Sequence, residues 1–172
     1  SKRAQLGAHY TSRDDILLIV EPVVMAPLRR EFDEARKAAE RALLKGRKAA
    51  AHKALSAFAE RLAGVTILDP ACGSGNFLYV ALRQVLDLER DLRAFASRPD
   101  IGLALPARVR PTQLRGIEIN EYAAELARVS IWIGYLKWQR ENGVVDDRRP
   151  ILDALDTIEM RDGILDLSIP KT

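Results

Sequence analysis

The segment best equipped for chemistry is a glycine-containing stretch, Asp-Pro-Ala-Cys-Gly-Ser-Gly-Asn-Phe, over residues 69–77. It follows a short β-branched run at 65–69 and precedes a helical pattern over 77–95, so it is predicted to join a buried strand to a helix. In an open α/β sheet, ligands bind beyond the carboxyl ends of the strands, and small residues there let a ligand approach the backbone closely. We therefore predict a ligand site at this turn, beside the unpaired N–H groups that begin the helix.

The residues around the two glycines narrow the class of ligand. No Gly-Lys-Ser/Thr follows, as a phosphate-binding loop needs, and Leu78 stands where a dinucleotide fingerprint needs its third glycine. Asp69, at the end of the strand, would repel a pyrophosphate and would favour a ligand with an amine and a positive centre. S-adenosylmethionine carries an ammonium, a sulfonium and a carboxylate, so it suits an aspartate that lies beside exposed N–H groups.

Strand and helix patterns alternate along the chain and predict an α/β sheet with right-handed crossovers. A second strand is predicted at 114–119, and Asn120 is a good N-cap for a helix from 121 to about 139. Residues 97–113 hold three prolines and are predicted to form a loop. A third strand is predicted at 157–160.

The N-terminal third of the chain is predicted to be helical. Ser12 is expected to cap a first helix, which Pro22 and Pro27 restrict or break into two. Residues 29–63 contain ten Lys/Arg and five Asp/Glu, and Gly46 is predicted to divide them into two helices. We interpret this stretch as a solvated helical hairpin; the alternative is a basic face for nucleic acid.

The glycine turn resembles the first motif of class I S-adenosylmethionine-dependent methyltransferases, and its Pro-Ala-Cys-Gly-Ser-Gly form is typical of DNA N6-adenine methyltransferases. The resemblance implies a Rossmann-like fold with S-adenosylmethionine as cofactor. It also implies that Asp69 binds the methionine ammonium and that the backbone at Ala71, Gly73 and Gly75 allows close approach of the cofactor.

An upstream segment at 7–12, Gly-Ala-His-Tyr-Thr-Ser, resembles a motif that precedes the first one in circularly ordered DNA methyltransferases. In those enzymes the threonine region lines the methionine end of the cofactor. The resemblance therefore implies this role for Tyr10 and Thr11.

Two downstream segments complete the resemblance. Residues 116–120 resemble the second motif, in which an acidic residue closes a strand; a carboxylate can accept both ribose hydroxyl hydrogens, which implies this role for Glu118 and adenine packing for Ile119. Residues 161–165 resemble the third motif, which implies that Asp162 accepts a hydrogen bond from the adenine amino group. Asp69 and Glu118 are 49 positions apart, whereas the analogous spacing in dinucleotide-binding folds is about 20, so residues 90–113 are expected to be an insertion.

The catalytic motif of N6-adenine methyltransferases, Asp/Asn/Ser-Pro-Pro followed by an aromatic residue, is missing because no two of the eight prolines are adjacent. We expect it downstream of Thr172, so no catalytic residue is predicted within this chain. The chain then divides into an upstream motif and helical region at 1–63 and, at 64–172, the cofactor-binding half of a partial methyltransferase domain. Alone it is expected to be inactive, and DNA would be bound by the full-length protein.

Composition excludes several other classes of protein. One cysteine and two histidines predict neither a disulfide framework nor a metal site, and Cys72 is expected to be a packing residue of the turn. The apolar stretch at 16–28 is too short for a membrane span, and no apolar signal sequence begins the chain, so we expect a cytoplasmic protein without a membrane partner. The net charge of +3 permits nucleic-acid binding without demanding it.

Taken with the resemblance, these residues predict the S-adenosylmethionine-binding segment of a DNA adenine-N6 methyltransferase from a restriction–modification system, of the type fused to a restriction activity. Two alternatives remain open. One is a methyltransferase segment that acts on RNA or protein, and the other is a non-catalytic module that binds nucleic acid or a partner through the basic hairpin.

Overall fold

A computed structural model describes residues 11–144 and 155–163. Its N-terminal part is helical, and a three-stranded sheet with two long helices follows. In chain order the elements are α1 (Arg13–Val20), a π-helical segment (Glu21–Met25), α2 (Ala26–Leu44), α3 (Lys48–Ala63), β1 (Ile67–Asp69), α4 (Asn76–Ala96), a 3₁₀ turn (Pro111–Gln113), β2 (Leu114–Glu118), α5 (Glu121–Glu141) and β3 (Ile158–Met160).

The sheet is parallel throughout, with strand order β1-β2-β3. Ile67 pairs with Leu114, and Gly116 pairs with Ile158. The predicted alternation of strands and helices is thereby confirmed, and the fold is α/β. Because parallel strands end at the same edge of a sheet, Asp69 and Glu118 close neighbouring strands on one edge.

The helix caps follow the sequence closely. Ser12 Oγ accepts a hydrogen bond from the Asp15 backbone N–H at 3.2 Å, and Asn120 Oδ1 accepts one from the Ala123 N–H at 3.0 Å. These bonds satisfy N–H groups that a helix start leaves without a partner, which fixes where α1 and α5 begin.

The prolines restrict the first α-helix without ending the helical run. α1 ends at Val20, and Pro22 and Pro27 lie at the second positions of the π-helical segment and of α2. Because the residues before each proline are already helical, each proline removes one N–H donor from the helix, and the π-helical segment accommodates the change. The chain therefore remains helical from α1 through the π-helical segment into α2. A local widening of the helix takes the place of the break that the prolines suggested.

The two helices predicted for 29–63 form a hairpin that turns at Gly46, whose φ is +67°. Its inner face is apolar: Phe32 stacks on Phe58 with ring centroids 5.4 Å apart, and Phe95 of α4 meets Phe32 edge-on at 6.4 Å. Ring pairs of this geometry join the hairpin to the core.

The loop after α4 is held by a buried carboxylate. Glu89 is 5% exposed, and its Oε1 accepts hydrogen bonds from the backbone N–H groups of Arg108 and Val109 at 2.5 and 2.9 Å. The predicted loop is confirmed, although α4 itself runs on to Ala96. Two backbone donors compensate the cost of burying this charge.

The first strand differs from its prediction. β1 has three residues, and the side chain of Leu68 is 57% exposed, so the strand is not buried on both faces. Arg115, its neighbour on the central strand β2, is also exposed on this face, so the cause is that the described elements leave this part of the face uncovered. A β-branched run predicts a strand but does not predict whether both of its faces are covered.

Candidate functional site: the glycine turn at the carboxyl edge of the sheet

The turn between β1 and α4 depends on two glycines with left-handed backbone conformations. Gly73 has a φ of +54° and Gly75 a φ of +82°. The Gly75 N–H donates to the Cys72 carbonyl at 2.8 Å and closes the turn. Other residues rarely adopt such angles, so the turn requires glycine at both positions.

The surroundings of the two glycines differ. A Cβ built at Gly75 would lie 3.0 Å from the Cβ and 3.1 Å from the Cα of Ala127 on α5, whereas one built at Gly73 would meet no atom within 4 Å. Gly75 thus allows α5 to pack against the turn. Gly73 leaves open space, which is where a ligand could approach the backbone. From the sequence, both glycines were expected to allow close approach of a ligand. In the structure only Gly73 faces open space, whereas Gly75 packs against α5.

Glu118, at the end of β2, is bonded to the turn. Its Oε2 accepts a hydrogen bond from the Gly73 N–H at 2.8 Å, and its Oε1 accepts one from the Asn120 N–H at 2.9 Å. A carboxylate has about four acceptor positions, so two remain for other donors. The two backbone bonds fix the carboxylate while leaving it able to accept two hydroxyl hydrogens.

Asp69, at the end of β1, lies beside a second carboxylate. Its Oδ1 accepts a hydrogen bond from the Ala71 N–H at 3.1 Å, so this N–H is occupied within the turn. Burial raises the pKa of Asp69, and repulsion from Glu118 raises it further, although the Ala71 hydrogen bond opposes both effects. Two carboxylates at the ends of neighbouring strands favour a cationic ligand, because a positive charge between them would relieve their repulsion.

Cys72 packs under the turn, as predicted. Its side chain is 6% exposed, and its N–H donates to the Ile117 carbonyl at 3.0 Å. Burial raises the thiol pKa to about 11, with further contributions from Asp69 and Glu118. A buried thiol with a raised pKa is a poor nucleophile, which agrees with a packing role for Cys72.

Gly116, in the middle of β2, makes this packing possible and was missed by the sequence analysis. A Cβ there would lie 2.7 Å from Cys72 Sγ and 2.9 Å from Ile158 Cδ1. A glycine inside a strand is the available sequence signal for such a close approach.

The segment after β3 lies against the same turn. The Arg161 N–H donates to the Glu118 carbonyl at 3.1 Å, and a Cβ on Gly163 would collide with the Pro70 carbonyl oxygen. Asp162, between these two residues, is thereby placed at the same edge of the sheet as Asp69 and Glu118. The three predicted motifs converge on one edge.

Two further predicted residues lie at the margin of this edge. The Thr11 carbonyl accepts a hydrogen bond from Asn76 Nδ2 at 2.8 Å, which brings the upstream segment to the first residue of α4 across 65 positions. Ile119 follows Glu118 with a side chain that is 70% exposed. Tyr10 lies outside the described residues.

An apolar groove of about 290 Å³ adjoins the turn. One wall is formed by α1 and the π-helical segment, and the other by the end of β1 and the start of α4. Its lining includes Val20, Val23, Leu68, Pro70 and Phe77. The position of the first helix beside this groove was not predicted, because the contact depends on packing between distant parts of the chain.

Two features are absent from the described residues. Within residues 11–144 and 155–163, His, Cys, Asp and Glu form no cluster able to bind a metal ion. Over the same residues, no helix is both long and apolar enough to cross a bilayer.

Fold and turn together define the class of this protein: an α/β domain with a glycine-rich strand-to-helix turn at the carboxyl edge of a small parallel sheet. Residues 44–157 match the family model described as MmeI, DNA-methyltransferase domain. The chain belongs to this family, which confirms the resemblance that the motifs carry.

Known relatives agree with this membership. The chain is 29% identical over 153 residues to DNA methyltransferase A of Bacillus subtilis (strain 168), an alignment that covers 87% of the chain and 16% of that protein. It is also similar to the structure of the type IIL restriction–modification enzyme MmeI in complex with DNA, with a TM-score of 0.71 and 30% identity over 94% of the chain and 21% of MmeI. The chain thus spans about a sixth to a fifth of the length of these relatives.

Proposed function

We propose that this chain is the S-adenosylmethionine-binding part of a DNA adenine-N6 methyltransferase with a Rossmann-like fold, belonging to a restriction–modification system. The observation that carries the proposal is the junction of Asp69, Gly73 and Glu118 at the ends of two adjacent parallel strands. There, two carboxylates flank a backbone with open space, and one of them is hydrogen-bonded to the turn.

Each part of the cofactor has a matching group at this edge. Asp69 binds the methionine ammonium, and the Glu118 carboxylate accepts the ribose hydroxyl hydrogens through its two remaining acceptor positions. The exposed side chain of Ile119 packs on the adenine ring, and Asp162 accepts from the adenine amino group. Membership of a DNA-methyltransferase family supports the choice of this cofactor over other nucleotides.

The turn supplies the remaining contacts of the cofactor. The open backbone at Gly73 takes the closest approach, while Ala71 and Gly75 hold the turn in shape. Thr11, with Tyr10 before it, lines the methionine end, since the Thr11 carbonyl is fastened to Asn76 beside the turn. When bound, S-adenosylmethionine supplies an electrophilic methyl group on its sulfonium. The chain's own residues bind and orient this donor, and such positioning is a large part of catalysis.

We propose that the catalytic groups of the methyltransferase and the groups that recognise its DNA sequence lie elsewhere in a longer polypeptide, with 1–63 as the upstream helical region and 64–172 as the cofactor-binding half. A partly exposed face of the sheet supports this division. Among the described residues of this face, Leu68, Arg115 and Glu159 are exposed, whereas Ile117 is buried. Parallel sheets are normally covered on both faces, so further elements are expected to pack there.

Calorimetry on the 172-residue chain tests the cofactor assignment. S-adenosylmethionine and its demethylated product, S-adenosylhomocysteine, should each bind at one site, whereas NAD should not bind, because its pyrophosphate would lie against two carboxylates. Tighter binding of NAD than of S-adenosylmethionine would contradict the proposal.

The reaction is tested with the longest natural polypeptide that contains this chain. Incubated with duplex DNA and S-adenosylmethionine that carries a labelled methyl group, it should yield labelled N6-methyladenine after digestion to nucleosides. A label found in RNA or protein, and absent from DNA, would support the alternative class of methyltransferase.

A further inference from the structure

The positive charge of the chain is concentrated at one place, the turn of the α2–α3 hairpin. Between Glu40 and Glu60 the sequence has five Lys/Arg and no acidic residue. We call these five residues the basic tip: Arg41, Lys45, Arg47, Lys48 and Lys53. The rest of the chain has 22 Lys/Arg and 24 Asp/Glu, so the whole net charge of +3 originates from the basic tip.

The cations of the basic tip are exposed and unpaired. In the part of the chain that the structure describes, none of the five forms an ion pair or a side-chain hydrogen bond. Three arginines elsewhere on the N-terminal helices behave differently: Arg29, Arg36 and Arg61 bond to acidic partners at 2.5, 3.2 and 3.1 Å. The basic tip therefore presents charge that the fold itself leaves uncompensated.

Helix stability does not account for this placement. Arg47 is the N-cap of α3 and Lys48 its first residue, and the first turn of α3 contains no acidic residue. The start of a helix has a positive dipole end, which favours acidic side chains and disfavours basic ones. Arg47 and Lys48 therefore lower the stability of α3, so their presence at this position is better explained by binding to a negatively charged partner.

The basic tip has side chains that suit the phosphates of a nucleic acid and lacks exposed aromatic rings that would stack on its bases. Phe58 of α3 is buried, and the ring of His52 is bonded through Nε2 to the Ile101 carbonyl at 2.8 Å, so neither offers a surface for stacking. Without exposed aromatic rings, single-stranded nucleic acid loses its main non-electrostatic contact. Unpaired Lys and Arg on an exposed turn suit the phosphates of a duplex, whatever the sequence.

We infer that the basic tip binds the phosphate backbone of duplex DNA at a place remote from the methylated base, an inference that rests on the proposed function. The distance follows from α4, whose 21 residues span about 30 Å from the glycine turn to its far end. Ile101, in the loop after that helix, contacts the hairpin through His52. The basic tip therefore contributes to DNA affinity and leaves cofactor binding unchanged.

The test compares two triple variants that lose the same charge. K45Q/R47Q/K48Q removes cations of the basic tip, whereas R29Q/R36Q/R61Q removes arginines that are already paired. Binding of the 172-residue chain to a fluorescent duplex of about 20 base pairs is measured by anisotropy over a range of salt concentrations. Circular dichroism and calorimetry with S-adenosylmethionine check that both variants remain folded.

We expect the first triple to weaken DNA binding about tenfold at low salt and to lower the slope of log affinity against log salt by about 2 to 3. The second triple should change affinity less than about threefold, since paired surface arginines contribute little. Equal losses in both triples, no duplex binding by the wild-type chain, or tip-dependent binding to phosphatidylserine vesicles without binding to DNA would each overturn the inference. Because calorimetry measures cofactor binding separately, failure here is distinguishable from failure of the proposed function.

Discussion

Glu118 and Gly73 are 45 positions apart in the chain, and a hydrogen bond of 2.8 Å from the Gly73 N–H to the Glu118 carboxylate joins them. The bond ties the end of β2 to the turn that follows β1. A second bond, from the Asn120 N–H, holds the other carboxylate oxygen. The acidic residue and the glycine turn are therefore one preformed unit, so a ligand that needs both finds them already in position.

The two glycines of the turn should respond differently to substitution. Gly75→Ala combines a φ of +82° with a contact of 3.0 Å to Ala127, so we expect it to lower the free energy of unfolding by about 2 to 4 kcal/mol. Gly73→Ala meets only backbone strain and should cost about 1 to 2 kcal/mol.

Urea denaturation measures both values, and calorimetry then separates packing from ligand approach. Gly73→Ala should stay folded and bind S-adenosylmethionine much more weakly. A Gly73→Ala protein with unchanged cofactor affinity would show that the ligand does not approach this backbone.

Asp69 should make both stability and cofactor affinity depend on pH. Because its pKa is raised in the folded protein, the folded state holds this proton more tightly than the unfolded state does. Stability is therefore lost as pH rises through the unfolded pKa towards the folded pKa, and the loss persists at neutral pH. Asp69→Asn should abolish this loss and raise the melting temperature of the cofactor-free protein at neutral pH.

Cofactor affinity should change in the opposite direction with pH. A ligand ammonium prefers the ionised carboxylate, so affinity should increase as pH rises through the raised pKa of Asp69. Thermal melts and calorimetry between about pH 4 and pH 8 measure both effects around the ordinary aspartate range. If Asp69→Asn has the same pH profile of affinity as the wild type, Asp69 is not the group that senses the ligand.

Cys72 should be almost inert towards alkylation in the native protein. With its pKa raised from 9.0 to about 11, the thiolate fraction near neutral pH falls about a hundredfold, and burial adds a barrier to access. Iodoacetamide labelling followed by mass spectrometry should be slow for the native chain and fast in denaturant. Rapid labelling of the native chain would mean that the turn opens readily.

Asn76 should fasten the upstream segment to the site. Asn76→Ala removes the donor to the Thr11 carbonyl, so we expect a loss of about 1 kcal/mol in stability and faster proteolysis near residue 11. Ser56→Ala on the hairpin is a suitable control, since Ser56 has no hydrogen bond to this segment. Unchanged proteolysis would indicate that other contacts hold Thr11 in place.

Local signals in the sequence were sufficient for much of this fold. Ser12 and Asn120 cap their helices as expected, and Gly46 turns the hairpin, because each depends on its own few neighbours. The alternation of strands and helices likewise predicted a parallel sheet. Motif order then predicted which strand ends would meet.

Features that depend on distant packing were not available from the sequence. Leu68 is exposed because the described elements leave its part of the sheet face uncovered, and Gly116 is required because of the close approach of Cys72 Sγ. The prolines restrict the first α-helix as expected, since α1 ends at Val20, but the π-helical segment that follows was not predicted from the sequence. The pairing of charges was also not predictable, because the sequence does not show that Arg61 forms an ion pair while Lys45 forms none.

The most direct test of the central claim is calorimetric titration of S-adenosylmethionine into Glu118→Gln and, as a control, Glu60→Gln on the hairpin. The glutamine carbonyl oxygen can still accept the Gly73 N–H, whereas its amide nitrogen cannot accept the Asn120 N–H. The variant therefore loses one backbone bond and the charge that receives the ribose hydroxyls, and circular dichroism checks that it remains folded. We predict that Glu118→Gln weakens binding about tenfold or more and that Glu60→Gln leaves it unchanged. Equal affinity in the wild type and Glu118→Gln would contradict the assignment of this strand edge as the cofactor site.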